Sequence, residues 1–198
     1  TFALEINPYQ QSSYLDAGLT YSSVDNWDIA VASQNIPLTG QGDPHYQDDT
    51  YLQIAKTLDW GDGVATVLAT QNGYALYSVG SAILTASRKL HHLDFINQKF
   101  RLTDNIQLHG GSYYVNAALS TKNAYFGGLI GFEWHVDDLM LRADYLGGHS
   151  NISGATVTLN YYGWDNLNTY LGIGIPEQNT GNEFYGLIGL QLSTGSLR

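Results

Sequence analysis

The feature that most constrains the fold is an alternation of apolar and polar side chains with a period of two, which recurs along most of the chain. Such alternation is typical of β-strands whose two faces meet different surroundings, and helical periodicity is sustained over no long stretch. Residues 124–147 show it most clearly. A two-residue turn at Asp137 and Asp138 would pair Val136 with Leu139 across antiparallel strands. The pattern therefore predicts an all-β chain built from hairpins.

Compact turns that contain Asp recur at intervals of roughly 30 to 40 residues, and longer polar connections lie between them. Tight turns on one rim and long loops on the other are typical of bacterial outer-membrane barrels. The segments between the turns give about twelve strands, which would place both chain ends at the short-turn rim. Fourteen strands stay open, because Asn72-Gly73 is itself a good hairpin signal, and so do ten, if one pair of the predicted strands does not form. The strands are predicted near residues 2–9, 12–23, 27–37, 50–60, 64–72, 90–103, 106–119, 124–136, 139–147, 154–163, 168–175 and 184–194.

All four tryptophans lie beside these short turns. Because alternate turns of an up-and-down meander fall on the same rim, their indole rings would collect there, as in the aromatic girdle of a membrane-spanning barrel. Only 13% of the residues are charged, against roughly 25% in average soluble domains. We therefore predict a single domain, residues 1–198, that forms a closed antiparallel up-and-down transmembrane β-barrel. The predicted membrane-interface residues are Trp27, Trp60, Trp134 and Trp164.

The predicted hairpin register sets Glu133 directly opposite Arg142 on the polar face. Opposite charges paired across strands stabilise a hairpin. In a narrow lumen they either brace the wall or bias the ions that pass through it. The residues predicted to line the lumen are Glu133, Arg142, Asp144, His135, Asn160 and Thr158, whereas Phe132, Leu141, Leu159, Ile173 and Ile188 are predicted to face acyl chains.

In its architecture the chain resembles the small monomeric outer-membrane barrels of Gram-negative bacteria, among them the twelve-stranded channels for acidic sugars. The resemblance depends on the abundance of Tyr and Gly, the alternation, the tryptophan rim and the turn asymmetry. It implies a porin-like protein in the bacterial outer membrane, with the lipid bilayer and small polar solutes or ions as its partners. Acidic-sugar channels line the pore with tracks of Arg and Lys, whereas the sequence pattern places only Arg142 inside here.

Composition excludes several other functions. The net charge of −10 and the lack of a basic stripe argue against a nucleic-acid partner. Without Cys there can be no disulfide and no thiol chemistry. The six histidines lack the spacing typical of a zinc site, and the acidic segment 42–49 lacks the ligand spacing of a known calcium loop. We therefore expect no metal site, no cofactor and no catalytic residues.

Three alternatives differ from a channel. A structural or adhesive barrel would bind a surface partner through its long loops, residues 39–49 above all. A membrane-embedded lipid hydrolase would use His149 as a base toward Ser150, although neighbours in an extended strand point to opposite faces. A soluble barrel or sandwich would turn its apolar faces inward to a common core. The transported solute and the oligomeric state stay open.

Overall fold

The computed structural model describes residues 1–10, 12–39, 50–79, 82–178 and 180–195, and these form twelve antiparallel strands closed into one barrel. Each strand pairs with its neighbours in the chain, and the first strand closes the barrel on the last. The strands are β1 (Phe2–Pro8), β2 (Ser13–Ser22), β3 (Trp27–Thr39), β4 (Thr50–Gly61), β5 (Val64–Val79), β6 (Ala82–Arg101), β7 (Ile106–Val115), β8 (Phe126–Val136), β9 (Leu139–Gly147), β10 (Gly154–Trp164), β11 (Leu167–Pro176) and β12 (Tyr185–Leu192). The predicted closed up-and-down barrel of twelve strands is confirmed. A helix long and apolar enough to cross a membrane does not occur in the described ranges.

The Asp-containing turns that recur in the sequence connect strands at one rim, which we call the short-turn rim. Asp62 and Gly63 both adopt positive φ, 51° and 75°, as a type I′ hairpin turn requires. Asn26 and Asp137 also adopt positive φ, which Asn and Asp tolerate better than most residues. Both ends of the barrel sheet, the start of β1 and the end of β12, lie at this rim. The short-turn connections are residues 23–26, 62–63, 102–105, 137–138 and 165–166.

The fourteen-strand alternative is wrong, because Asn72-Gly73 lies inside β5 and forms no turn. Gly73 faces the barrel interior, and the imidazole of His91 occupies the space that a side chain at this position would need. The residues that follow lengthen β5 and β6 to 16 and 20 residues instead of adding strands. The sequence alone does not distinguish a glycine that makes room for a neighbouring ring, as Gly73 does for His91, from a glycine that forms a turn.

The apolar face of the barrel wall points outward and the polar face points inward, which is the reverse of the arrangement in a soluble protein. Large apolar side chains point outward: Leu19 is 57% exposed, Ile130 64% and Leu171 61%. Of the five residues predicted to face acyl chains, Phe132, Leu159, Ile173 and Ile188 are exposed and Leu141 is half-buried. The apolar side chains buried among the described residues are few, namely Ala55, Ala69, Tyr113, Val115, Met140 and Leu187. The aliphatic residues do not gather in a shared dry core, so the alternative of a soluble barrel or sandwich is wrong.

Large side chains on the inward face lie over glycines on the adjacent strand. The ring of Tyr113 on β7 crosses Gly127 on β8, and the ring of Tyr170 on β11 crosses Gly189 on β12. A methyl group at either glycine would overlap the tyrosine ring. This arrangement lets a side chain reach the second strand away, which accounts physically for the abundance of both Gly and Tyr.

Candidate functional site

The predicted pair of Glu133 and Arg142 lies on the inward face of β8 and β9, in the register that the sequence predicts. Glu133 is buried, at 7% exposure. Its carboxylate oxygens lie 3.8 Å from Arg142 Nη1, 4.0 Å from Lys99 Nζ and 3.9 Å from His135 Nε2. These separations are those of ion pairs without direct hydrogen bonds. Glu133 is therefore surrounded by basic groups from three strands.

Asp144 makes the shorter contacts in this cluster. Arg142 Nε donates to Asp144 Oδ2 at 2.6 Å, so the closest partner of Arg142 is its neighbour on β9 rather than Glu133. His109 Nε2 lies 2.5 Å from Asp144 Oδ1, and the His109 side chain is almost fully buried. Hydrogen bonds to an ionised carboxylate are among the strong ones in proteins. Asp144 thus joins β7 to β9 across the intervening β8.

Gly131 makes the contact between His109 and Asp144 possible. It lies directly opposite both residues, on the strand between them. A methyl group here would overlap His109 Nε2 and Asp144 Oδ1. Sequence reasoning missed His109, because its pairing requires the registers of three strands at once. The available signal was Gly131 itself, a glycine on the polar face of a predicted strand.

The other two predicted lumen residues also face inward, beside this cluster. Thr158 is the register partner of Arg142 on β10. Asn160 is buried, and its Nδ2 donates to Thr158 Oγ1 at 3.1 Å. Asn168 Nδ2 donates to Gln191 Oε1 at 3.2 Å, which continues the amide network to β12. All six predicted residues therefore lie on the inward face, and their role in lining a conducting pore stays a prediction.

A second charged group, which sequence reasoning missed, lies on the opposite wall. Glu5 on β1 and Asp16 on β2 are direct register partners on the inward face. The Tyr170 hydroxyl donates to Glu5 Oε2 at 2.7 Å, and Asn7 Nδ2 donates to Asp16 Oδ2 at 3.1 Å. In a ring of twelve strands, β1 and β2 stand opposite β7 and β8. Among the Lys and Arg residues whose side chains the structure describes, those that face inward are on β6 and β9: Lys99, Arg101 and Arg142.

Three cavities lie among the described residues. A cavity of about 310 Å³ lies beside Glu5 and Asp16. A cavity of about 240 Å³ is lined by apolar side chains together with His109, Arg142 and Asp144. A third cavity, of about 700 Å³, lies toward the long-loop rim. Gln34 lines both the 310 Å³ cavity and the 700 Å³ cavity, so these two are neighbours.

Tyr9 stands at the mouth of the barrel, between β1 and β2. Its ring stacks on Tyr185 with a centroid separation of 5.3 Å and meets Tyr14 edge-on at 5.5 Å. Burial raises the pKa of Tyr9 to about 12. Like any tyrosine hydroxyl that is protonated at neutral pH, it can both donate and accept hydrogen bonds.

The four tryptophans all lie with exposed side chains at the short-turn rim. Lys56 Nζ lies 5.1 Å from the Trp27 ring centroid, a cation–π distance, and donates to the backbone oxygen of Asp25. Trp60 Nε1 donates to Thr66 Oγ1 at 3.1 Å. An indole ring with a polar edge and an apolar body fits the boundary between lipid and water. Assignment of these residues to the membrane interface stays a prediction.

Ser150, the nucleophile of the hydrolase alternative, is buried in the packing of its loop. Its hydroxyl lies 3.0 Å from both the Tyr113 hydroxyl and Ser153 Oγ, and Tyr113 also donates to the Gly147 carbonyl oxygen at 2.9 Å. His149 is exposed, and its carbonyl oxygen accepts from Thr121 Oγ1. These contacts give Ser150 a structural role and offer no support for catalysis.

Two features named from the sequence fall outside the described residues. The acidic segment 42–49 and nearly all of the proposed partner-binding loop, residues 39–49, belong to this part of the chain. In the ranges that the structure describes, no three His, Cys, Asp or Glu side chains are grouped as a metal site would require.

Comparisons with known proteins rest on the fold. No protein-family model and no curated protein matches the sequence. Among solved structures, a KdgM porin in complex with disordered oligogalacturonate has a TM-score of 0.65 at 10% identity, covering 97% of this chain and 98% of that one. A NanC porin has a TM-score of 0.64 at 8% identity, covering 98% and 100%. The chain has a porin fold. At this identity the likeness concerns architecture, and individual residues are not carried over.

Proposed function

We propose that the protein is an outer-membrane, porin-like channel for the passive diffusion of small polar solutes or ions. The observation that carries the proposal is the direction of the two faces in a closed barrel. Exposed aliphatic side chains cover the outside, and buried polar residues such as Glu133 and Asn160 lie inside. A barrel of this kind satisfies its backbone hydrogen bonds between strands and leaves no open edge, as a bilayer requires.

The dimensions support a membrane-spanning role. Strands β7 to β12 contain 8 to 11 residues, close to the roughly 9–11 that a tilted strand needs to cross the hydrocarbon core. The tryptophans at the short-turn rim would lie at the membrane–water interface on the periplasmic side, where the turns of such barrels are tight. The exposed band between the rims would contact acyl chains directly.

The charged cluster gives the lumen two functions in this proposal. Asp144 holds His109 and Arg142 together and braces the wall across β8. Glu133, Lys99 and the exposed part of Arg142 set the local field that passing ions meet. Oligogalacturonate, the ligand of the KdgM structure, is a polyanion. Here Arg142 and Lys99 both lie close to carboxylates instead of forming an unopposed cationic track, which favours small polar solutes over polyanions.

Reconstitution into planar bilayers tests the proposal. Protein that is folded, as judged by a shift in migration between boiled and unboiled samples in detergent, should produce discrete conductance steps. Liposomes that contain it should swell in solutions of small polar solutes. Folded protein that stays sealed in every salt would refute the channel while leaving the membrane barrel intact. Recovery of folded monomer from plain buffer without detergent would refute the membrane location as well.

A further inference from the structure

The two neighbouring cavities that share Gln34 have a chemistry that differs from the rest of the lumen. We propose that together they form a binding site for neutral saccharides, and that the channel discriminates against acidic ones. This inference rests on the proposed channel function and adds a solute class to it. It is carried by the lining of the cavities, which combines aromatic rings, amides and hydroxyls with carboxylates.

The cavity at the long-loop rim, about 700 Å³, is large enough for a small oligosaccharide, since ligand pockets commonly enclose about 300–1,000 Å³. The described side chains that line it combine Tyr, Gln, Asn, Ser and Thr with Leu, Ile, Ala and Pro, and none of them is Asp, Glu, Lys or Arg. Its single imidazole belongs to His91. Amides and hydroxyls both donate and accept hydrogen bonds, as sugar hydroxyls do. This lining matches a neutral polyhydroxylated ligand.

The stacked pair of Tyr9 and Tyr185 supplies an aromatic surface in the same cavity. The C–H faces of a pyranose ring are apolar and pack against aromatic rings, while the ring hydroxyls point to the sides. The protonated hydroxyl of Tyr9 offers one partner, and Gln34 and Asn182 offer amides. Apolar and polar contacts therefore lie next to each other, as the two kinds of surface on a sugar require.

The deeper cavity, about 310 Å³, continues this surface toward the barrel centre. Glu5 and Asp16 lie side by side there, with Tyr51 and Gln53 nearby. Carboxylates are strong acceptors for sugar hydroxyls, which are donors. The same two carboxylates repel a uronic acid, and among the described residues that line this cavity none is Lys or Arg. One pair of residues thus attracts neutral sugars and disfavours acidic ones.

Liposome swelling with sugars of matched size tests the discrimination. Glucose should enter vesicles that contain the protein roughly tenfold faster than glucuronate, a difference equivalent to about 1.4 kcal/mol. The double variant Glu5→Gln, Asp16→Asn should bring the two rates within roughly twofold of each other, since amides keep the hydrogen-bonding capacity but carry no charge. Equal rates in the unsubstituted protein, or a double variant that discriminates as before, would overturn the inference.

Current blockade by maltose in planar bilayers tests the site itself. Maltose should interrupt the ion current in a concentration-dependent way, and Gln34→Ala should weaken its binding roughly fivefold, the effect of one neutral hydrogen bond. The matched control is Gln107→Ala, which removes an inward-facing Gln near the short-turn rim that lines neither cavity, and this variant should bind maltose as before. Equal effects of the two substitutions, or no blockade at all, would overturn the site. Absence of any conductance would instead refute the channel.

Discussion

The substitution Gly131→Ala, which adds one methyl group, tests whether the contact of His109 with Asp144 stabilises the lumen wall. In Gly131→Ala the added methyl would lie 2.7 Å from the Ala143 backbone oxygen and would overlap both His109 Nε2 and Asp144 Oδ1. The backbone atom cannot move away without disturbing the ladder between β8 and β9. The substitution should therefore separate His109 from Asp144 and strain the sheet at the same point.

The expected loss of unfolding free energy has two parts. Overpacking in a tight site costs about 1–3 kcal/mol, and loss of a hydrogen bond to a charged group costs about 1.5–3 kcal/mol. Because the two parts share one rearrangement, we expect about 2–4 kcal/mol in total. The control is Gly128→Ala on the same strand. Its outward methyl would meet only the Gly111 oxygen at 3.9 Å, so its effect should stay within about 1 kcal/mol and be neutral or stabilising.

Urea unfolding of the detergent-folded protein, followed by tryptophan fluorescence, measures both variants. A His109→Ala variant and its combination with Gly131→Ala complete a double-mutant cycle. The two substitutions should be coupled by more than about 0.5 kcal/mol, since both act on the contact with Asp144. A Gly131→Ala protein as stable as Gly128→Ala, or strictly additive effects of Gly131→Ala and His109→Ala, would refute the reasoning.

Three further predictions concern the wall, a loop and the lipid boundary. Arg142→Met should lower the free energy of unfolding by about 1 kcal/mol or less, a value kept small because the Arg142 side chain is 43% exposed. The reversal potential in a salt gradient should shift toward cation preference, and an unchanged potential would count against a role in ion selectivity. Tyr113→Phe should lower the free energy of unfolding by about 1–3 kcal/mol, because Ser150 and Ser153 lose a buried hydrogen-bond partner. Limited proteolysis should then cleave loop 148–153 faster, and unchanged cleavage would contradict the contact. Quenchers at the headgroup level should quench tryptophan fluorescence more strongly than quenchers at the bilayer centre, and the reverse order would contradict the interface assignment.

The hairpin from β8 to β9 shows how far sequence reasoning reaches. A two-residue turn and strict alternation set its register, so the pairing of Glu133 with Arg142 follows from local information alone. The preference of Arg142 for Asp144 over Glu133 does not follow, because a register gives the positions of backbones and leaves the side-chain rotamers open. The role of His109 is harder still to predict, since it contacts Asp144 only when β7, β8 and β9 are aligned together.

At Asn72 and Gly73, by contrast, the sequence predicts a feature that the structure does not contain. Its local signal favours a turn, yet the pairing of β4 with β5 continues past it to Tyr74. The long-range ladder outweighs the local preference, because each added pair forms cross-strand hydrogen bonds that a turn would forfeit. Turn propensity is therefore a reliable guide only where the neighbouring strand also ends.

The sequence by itself determined the class of the fold, the number of strands to within one hairpin, and the division of each strand into a lipid-facing and an inward face. These properties depend on period-two patterning and on short turns, which are local. The tertiary structure alone decided which inward side chains meet, including the contact of His109 with Asp144 across β8, and it alone placed Glu5 and Asp16 on the wall opposite β7 and β8. Closure of the barrel brings together residues far apart in the chain, and no local pattern records which of them will face each other.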